Sequence, residues 1–404
     1  MHISQNHHYL RGLSWLRLGL ALYLILFHTI RNYSDLPEWL FSITSAGFVS
    51  TSIFFIVSGY ILTYVYYDQQ GNLRTSRMKF LAERFFTLYP LHILALFLSA
   101  IIIFIHYKYT GHVYGIADIP PHLQLVNQES IYVPLDGLDV VINAVANLLL
   151  IHAWNPMYLT FNVPSWSISA LIFFYIAFVF SGKLNANIKK PFQTLLIVNF
   201  IYLIPPVAFI IFSNYSSVAT GILHTNPLAR FPEFLSGIIL CAWMRGNEQY
   251  KISCKLFFGL LFVLLVTHAC LLYQMLKMGP AGFYLVHNGI LLSLQLAIVA
   301  LFVKMPEMSS EWLNRLVDRI GDATLSIFML HMSLFYFISH FEKFIKSILN
   351  FQDGQNILHQ IKNTQLTFYF YPLIIILIIG ISVLAQEHFV LKIRRPLRKF
   401  FLKI

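Results

Sequence analysis

Residues Val140 to Ala153 read VVINAVANLLLIHA, fourteen residues without a charge, followed at once by Trp154-Asn155-Pro156. How this stretch is placed decides the topology of the whole chain. As an α-helix it reaches only ~21 Å at ~1.5 Å per residue, short of a ~30 Å hydrocarbon core. We therefore read it as a re-entrant or interfacial segment, and every later element takes its orientation from that choice.

On both sides of it lie apolar runs that do have the length to cross a bilayer. They are Ser14–Ile30, Ala46–Tyr66, Phe85–Tyr107, Ser165–Ser181, Phe192–Phe212, Leu228–Met244, Leu256–Leu276, Phe283–Val303, Gly321–Phe341 and Thr367–His388. Of the 404 residues 57% are apolar and 11% charged, and the mean hydropathy is +0.67. A soluble domain carries about a quarter charged residues, so hydrocarbon is the main solvent here. The 37 Phe and 22 Tyr suit both the core and the aromatic belts of a membrane. The expected fold is all-α, a polytopic transmembrane helical bundle of about ten spans plus the re-entrant or interfacial segment.

The distribution of positive charge checks this count, because cytoplasmic loops are enriched in Lys and Arg. With the N-terminus inside, 21 of the 28 basic residues fall in the segments Met1–Arg17, Asp68–Arg84, Gly182–Pro191, Arg245–Lys255, Lys304–Ile320 and Phe389–Ile404. Were Val140–Ala153 a full span, Lys183, Lys189 and Lys190 would fall outside and the asymmetry would break. Both termini are thus expected in the cytoplasm. The apolar run at the N-terminus lacks a small-residue cleavage pattern and reads as a retained span.

The net charge of +11 does not point to nucleic acid, since the basic residues sit in short blocks between apolar runs, as topology signals do. Cys241, Cys254 and Cys270 lack metal or redox spacing, and no metal site or disulfide framework is expected. Neither a tandem repeat nor a low-complexity tract is visible. The apolar runs fill the chain, so residues 1–404 read as a single integral-membrane domain with no appended soluble one. The outer loop Lys108–Asp139 carries Asp118, Glu129, Asp136 and Asp139 and reads as an ordered lid or a plain connector.

Ionisable groups inside spans are costly and mark functional candidates. Arg17 and His28 share a face of the first span, since eleven residues overshoot three turns by only ~20° and rise ~16.5 Å. Arg17 then sits at the cytoplasmic mouth and His28 about halfway across or a little beyond, where a neutral imidazole suits general-base work on a hydroxyl. The plain structural alternative makes His28 a hydrogen-bond partner of a neighbouring helix and Arg17 a snorkelling anchor; spacing leaves both open. His331, twelve residues after Arg319, lies near the height of His28, either as a partner in one site or as a structural hydrogen bond. His92, His268 and His287 sit nearer the ends of their spans. Among Arg74, Arg77, Lys79 and Arg84, the last enters a span and is the better candidate for the phosphates of an anionic donor. The others suit topology or anionic lipid. Glu233 either pairs with Arg230 or holds a polar acceptor.

The chain resembles the acyltransferase-3 family, membrane O-acyltransferases that modify bacterial envelope and secreted polysaccharides. The likeness begins with Leu10-Arg11-Gly12-Leu13 and Arg17, ten intervening residues and His28. It continues through Phe54-Phe55-Ile56-Val57-Ser58-Gly59-Tyr60, Arg84 to Tyr89-Pro90, and Pro164-Ser165-Trp166-Ser167-Ile168-Ser169. Arg230-Phe231-Pro232-Glu233-Phe234-Leu235-Ser236-Gly237 and Ile320-Gly321 through Leu330-His331 complete the series. The chain departs from the family pattern at Thr87, where a second Arg is common, and at Ala170 and Leu171, where a carboxylate is usual. It departs again at Arg394-Arg395, which replace a Glu before the terminal Pro-Leu-Arg.

The resemblance implies a transferase of the bacterial inner membrane. Its co-substrate would be cytoplasmic acyl-CoA, most often acetyl-CoA, with no permanently bound cofactor. Its acceptor would be a hydroxyl on an extracytoplasmic sugar, polysaccharide or lipid-linked glycan, such as lipopolysaccharide. Arg17 and Arg84 would hold donor phosphates, and His28 would either take the proton of the acceptor hydroxyl as it attacks the thioester or accept the acyl group transiently. Ser58, Trp166, Ser167, Glu233 and His331 would line the centre or the acceptor side. The rival reading of polytopic helices with midplane histidines is a transporter or flippase, against which no inverted repeat or paired broken helices are apparent. A non-catalytic family member is the third.

Overall fold

The computed structural model describes residues 10–33, 36–121, 131–182, 188–245, 250–350, 360–361, 363–394 and 396. Several sequence assignments fall outside these: residues 1–9 of the first cytoplasmic segment, Glu129, Lys183, Arg395 and the basic residues after it. Among the described residues, eight helices are long and apolar enough to cross a membrane. They include α1 (Arg11–Thr29), α3 (Phe48–Tyr66), α4 (Arg77–Thr110), α7 (Pro191–Ile211), α10 (Cys254–Lys277) and α14 (Thr324–Leu349). The other two expected spans are also helical. One is α6 (Trp166–Phe178), entered through a 3₁₀ turn at Val163–Ser165, and the other is α9 (Pro227–Met244) with Arg230 and Glu233 inside it. The protein is an all-α multi-pass membrane bundle.

The central pair is α3 and α9, which have the most extensive contact of any two elements. They can approach because each offers a glycine to the other. A Cβ on Gly59 would stand 2.1 Å from the Phe234 carbonyl oxygen, and one on Gly237 2.0 Å from that of Ile56. Small residues are how membrane helices gain backbone contact where water cannot drive packing. The two helices run in the same direction: Arg230 near the start of α9 reaches Ser52. At the far end the Arg245 guanidinium donates to the carbonyls of Thr63, Tyr67 and Asp68, capping the exposed carbonyls where α3 ends. Helix α1 runs opposite to α3 and packs against α3 and α14.

The Val140–Ala153 stretch settles into α5 (Gly137–Leu148) and a turn at Leu150, whose φ is +56°. Before it, β1 (Val113–Ala117) pairs antiparallel with β2 (Ile131–Leu135), a small sheet the all-α expectation lacked. The chain leaves β2, and by Asn147 and Leu148 it accepts hydrogen bonds from His92 Nε2 and the Tyr89 hydroxyl of α4. At Leu159 it is back on β1, pairing with Ile116. It therefore dips and returns to the same end. Its apolar stripe of Leu138, Val141, Ile142, Val145 and Leu148 faces outward, whereas Asn143 and Asn147 are buried. The polar side faces the bundle, where Asn147 Nδ2 donates to Thr160 Oγ1, and the apolar side is left for lipid.

One expected span is interrupted. Phe283–Val303 is split into α11 (Pro280–His287) and α12 (Leu292–Val303), with Gly289 at φ +107° between them. The freed His287 carbonyl accepts from Arg230 Nη1, and the Asn288 side chain braces the turn, its Nδ2 donating to the Leu223 carbonyl. Broken helices persist at membrane depth only where the protein replaces the lost bonds in this way. The connector Lys304–Ile320 holds another helix, α13 (Glu311–Asp322), tied to α1 by Arg11–Asp318 at 3.2 Å.

Candidate active site

His28 occupies the last turn of α1 and His331 the first third of α14. The chain separates them by 303 residues, and the fold places His28 Nδ1 2.8 Å from His331 Nε2. Their rings lie 5.0 Å apart and 19° from parallel. His331 Nδ1 is 2.7 Å from the Phe328 carbonyl oxygen. That oxygen can only accept, so Nδ1 of His331 carries its proton. In the neutral ring Nε2 then holds a lone pair. The contact with His28 needs one proton, which must come from His28 Nδ1. Two hydrogen bonds thus assign both tautomers and leave His28 Nε2 as a free base. His331 is fully buried, while His28 keeps some accessible surface. Beside the pair the Tyr371 hydroxyl donates to Thr29 Oγ1, 2.7 Å away, which itself donates to the Ile25 carbonyl. Asn162 Nδ2 donates to the Met329 carbonyl. These bonds tie α1 to the helix Tyr371–Leu384 and α14 to the segment before α6, at the height of the histidines.

At the other end of α1, a cavity of about 190 Å³ brings together Arg17, Arg84, Ser58 and Ser167. Its remaining wall is mostly apolar and aromatic, including Phe54, Phe55, Leu171 and Phe328, with Asp322 at the arginine end. Arg17 Nη2 donates to Ser14 Oγ at 3.3 Å, and Arg84 Nη2 to the Tyr66 hydroxyl. The Nε donors of both arginines are buried without a partner among the described residues. Two guanidinium groups with spare donors at the mouth of a mainly apolar cavity suit an anion attached to a less polar tail. Phe328 lines the inner wall and meets the His331 ring edge-on at 6.3 Å, so it separates the cavity from the histidine pair. Of the departures from the family pattern, Leu171 lies in the cavity wall and Thr87 turns its hydroxyl to the Glu83 carbonyl at 2.6 Å.

Trp166 and Glu233 do not line this cavity. Trp166 is buried between Phe55 and His224, with ring distances of 5.9 and 4.9 Å. Glu233 is 1% exposed; its Oε1 accepts from Arg230 at 3.0 Å and from the Tyr202 hydroxyl at 2.6 Å. Of the two readings of Glu233, the arrangement is the paired one: it clasps α7 to α9, and through Arg230 both to Ser52 of α3. Sequence reasoning did not single out His224 or link Asp118 to it, yet His224 Nδ1 and Asp118 Oδ1 are 2.6 Å apart. Asp118 was visible only as one acid in an outer loop, and no spacing ties it to a histidine 106 residues away.

Residues 10–387 match the model of the acyltransferase-3 family, described as an acyltransferase domain. The chain belongs to this family. It is also similar to the acyltransferase MdmB of Streptomyces mycarofaciens, 30% identical over 142 residues, a match covering 34% of this chain and 29% of that protein. The chain thus spans under a third of that relative's length. No solved structure matches it. The family match runs from the residue before α1 to Glu387, so it includes the histidine pair, both cavity arginines and the Arg230–Glu233 clasp.

Proposed function

We propose that this protein is a membrane O-acyltransferase that moves an acyl group, acetyl in the first instance, from cytoplasmic acyl-CoA to a hydroxyl of an extracytoplasmic sugar. The observation that carries this reading is the His28–His331 pair, whose hydrogen bonds leave His28 Nε2 with a lone pair at the far end of the helix from Arg17. In this scheme Arg17 and Arg84 hold the donor's phosphates, and the pantetheine arm follows the apolar cavity past Ser58 and Ser167. The thioester reaches His28 once the Phe328 ring turns aside. His28 Nε2 is the reacting nitrogen, and His331 holds its ring and tautomer, as the third member of a catalytic triad holds its histidine. Both termini would lie in the cytoplasm of a bacterial cell, the protein sitting in its inner membrane, and Trp166 would stand on the acceptor side.

The test is mass spectrometry of envelope glycans from cells making the wild-type protein or His28→Ala at equal membrane abundance. The acyl substituent should disappear in the variant; full acylation would remove His28 from the chemistry. With purified protein, Arg17→Ala should raise KM for acetyl-CoA about tenfold or more and leave the acceptor KM near its original value. Unchanged donor kinetics would take Arg17 out of the phosphate site.

A further inference from the structure

With His28 Nε2 occupied by the acyl group, the cavity and the histidine pair leave the proton of the acceptor hydroxyl without a destination. A second imidazole stands on the hairpin side of the bundle. His224 lies in the last turn of a short helix, α8 (Ser217–Thr225), and its Nδ1 is 2.6 Å from Oδ1 of Asp118, which follows β1. The carboxylate accepts, so Nδ1 carries the proton, and in the neutral ring Nε2 holds the lone pair. Nε2 has no hydrogen-bond partner among the described residues. Both side chains are partly open, at 28% and 20% exposure, whereas the Arg230–Glu233 pair nearby is closed off. The dyad is also close to the centre. His224 is an electrostatic neighbour of His28, and its ring is 6.3 Å from that of His287, which stacks on Phe48 at 4.0 Å. The residue before Phe48, Gly47, lies directly on the side chain of Phe27, the neighbour of His28.

Resting on the acyl-transfer reading above, we propose that His224, held by Asp118, takes the proton of the acceptor hydroxyl, and that His28 carries the acyl group. In the first step His28 Nε2 attacks the thioester carbonyl. The N–C bond forms, the C–S bond breaks, and CoA leaves as the thiolate, while the His28 Nδ1 proton is shared with His331 Nε2. In the second step the acceptor oxygen attacks the acyl carbon as its proton passes to His224 Nε2. The C–O bond forms, and the electrons of the N–C bond return to His28 Nε2. The imidazolium formed on His224 is stabilised by Asp118 and loses its proton to water. The two imidazoles thus divide the work, one on the donor side and one on the acceptor side.

The experiment uses full-length protein in nanodiscs, acetyl-CoA as donor, and release of CoA as readout, with glycerol or hydroxylamine as acceptor. Glycerol must lose a proton to attack well, whereas hydroxylamine is already a strong neutral nucleophile. His224→Gln and Asp118→Asn should each slow transfer to glycerol at least ~100-fold, with hydroxylamine turnover and acetyl-CoA binding near wild type. His28→Ala should lose both acceptors. Wild-type turnover of glycerol by His224→Gln would overturn the proposal. So would equal loss with both acceptors, which is the signature of a dyad that merely tethers the hairpin. A wild-type protein that releases no CoA with either acceptor would overturn the acyl-transfer reading itself, and the proposal with it.

Discussion

His331 shows how little of a residue's role its position along the chain discloses. The rise along two helices puts it near the height of His28, but height alone does not distinguish a catalytic partner from a structural hydrogen bond. The Phe328 carbonyl makes the difference, because it consumes the Nδ1 proton and so decides which nitrogen of each ring is free. Replacing His331 with Ala removes that control and leaves His28 to rotate and change tautomer. The expected result is a fall in kcat of about 100-fold or more with KM for acetyl-CoA unchanged, measured on purified protein. A variant with wild-type kcat would show that the pair is only a helix–helix contact. Glu233 makes the opposite point. A buried carboxylate three residues from Arg230 already suggested pairing from sequence, and the Tyr202 hydroxyl that completes the clasp comes from another helix.

Among elements, α5 and its return segment differ most from an ordinary span. Their polar face is turned inward and centres on His152, which is buried beside His92 with the two rings nearly parallel, 5.8 Å apart. Burial, and secondarily the neighbouring His92, pushes the His152 imidazole down to about 3. The sign of the pH effect follows. The unfolded chain takes up a proton near the ordinary histidine value of ~6.5, and the folded one does not. The stability held by a neutral His152 is therefore present above that value and is lost as pH falls from there toward 3. Replacing His152 with Gln removes this dependence. The thermal midpoint of the wild type should drop more steeply between pH 7.5 and ~5 than that of the variant. Parallel pH curves, read by differential scanning fluorimetry in detergent, would show that His152 titrates alike in both states.

For the whole molecule, the count of positive charges and the return of the segment after α5 to the hairpin support the same topology. The expected consequence is checked by labelling a variant lacking Cys241, Cys254 and Cys270 with a single new cysteine. Placed at Lys189 it should resist a membrane-impermeant maleimide in intact cells, whereas one at Tyr132 on the hairpin should react. Both positions are exposed, so accessibility reports sidedness and not burial. Reaction at Lys189 with protection at Tyr132 would reverse the inside and outside assigned to the bundle.

The sequence by itself determined the solvent, the helical class, the approximate spans and the placement of Arg17 and His28 on one helix face. These are properties of local composition and helical period, carried by residues near one another in the chain. The unwound turn at Asn288–Gly289 was hidden inside an apolar run, because the bonds that permit it come from Arg230 and Leu223 on other elements. The cavity shared by Arg17, Arg84, Ser58 and Ser167, the His28–His331 contact and the Asp118–His224 dyad were likewise decided only by tertiary structure. Each joins side chains from separate helices or loops, and a hydrogen bond over a few ångströms leaves no period or spacing in the sequence that makes it.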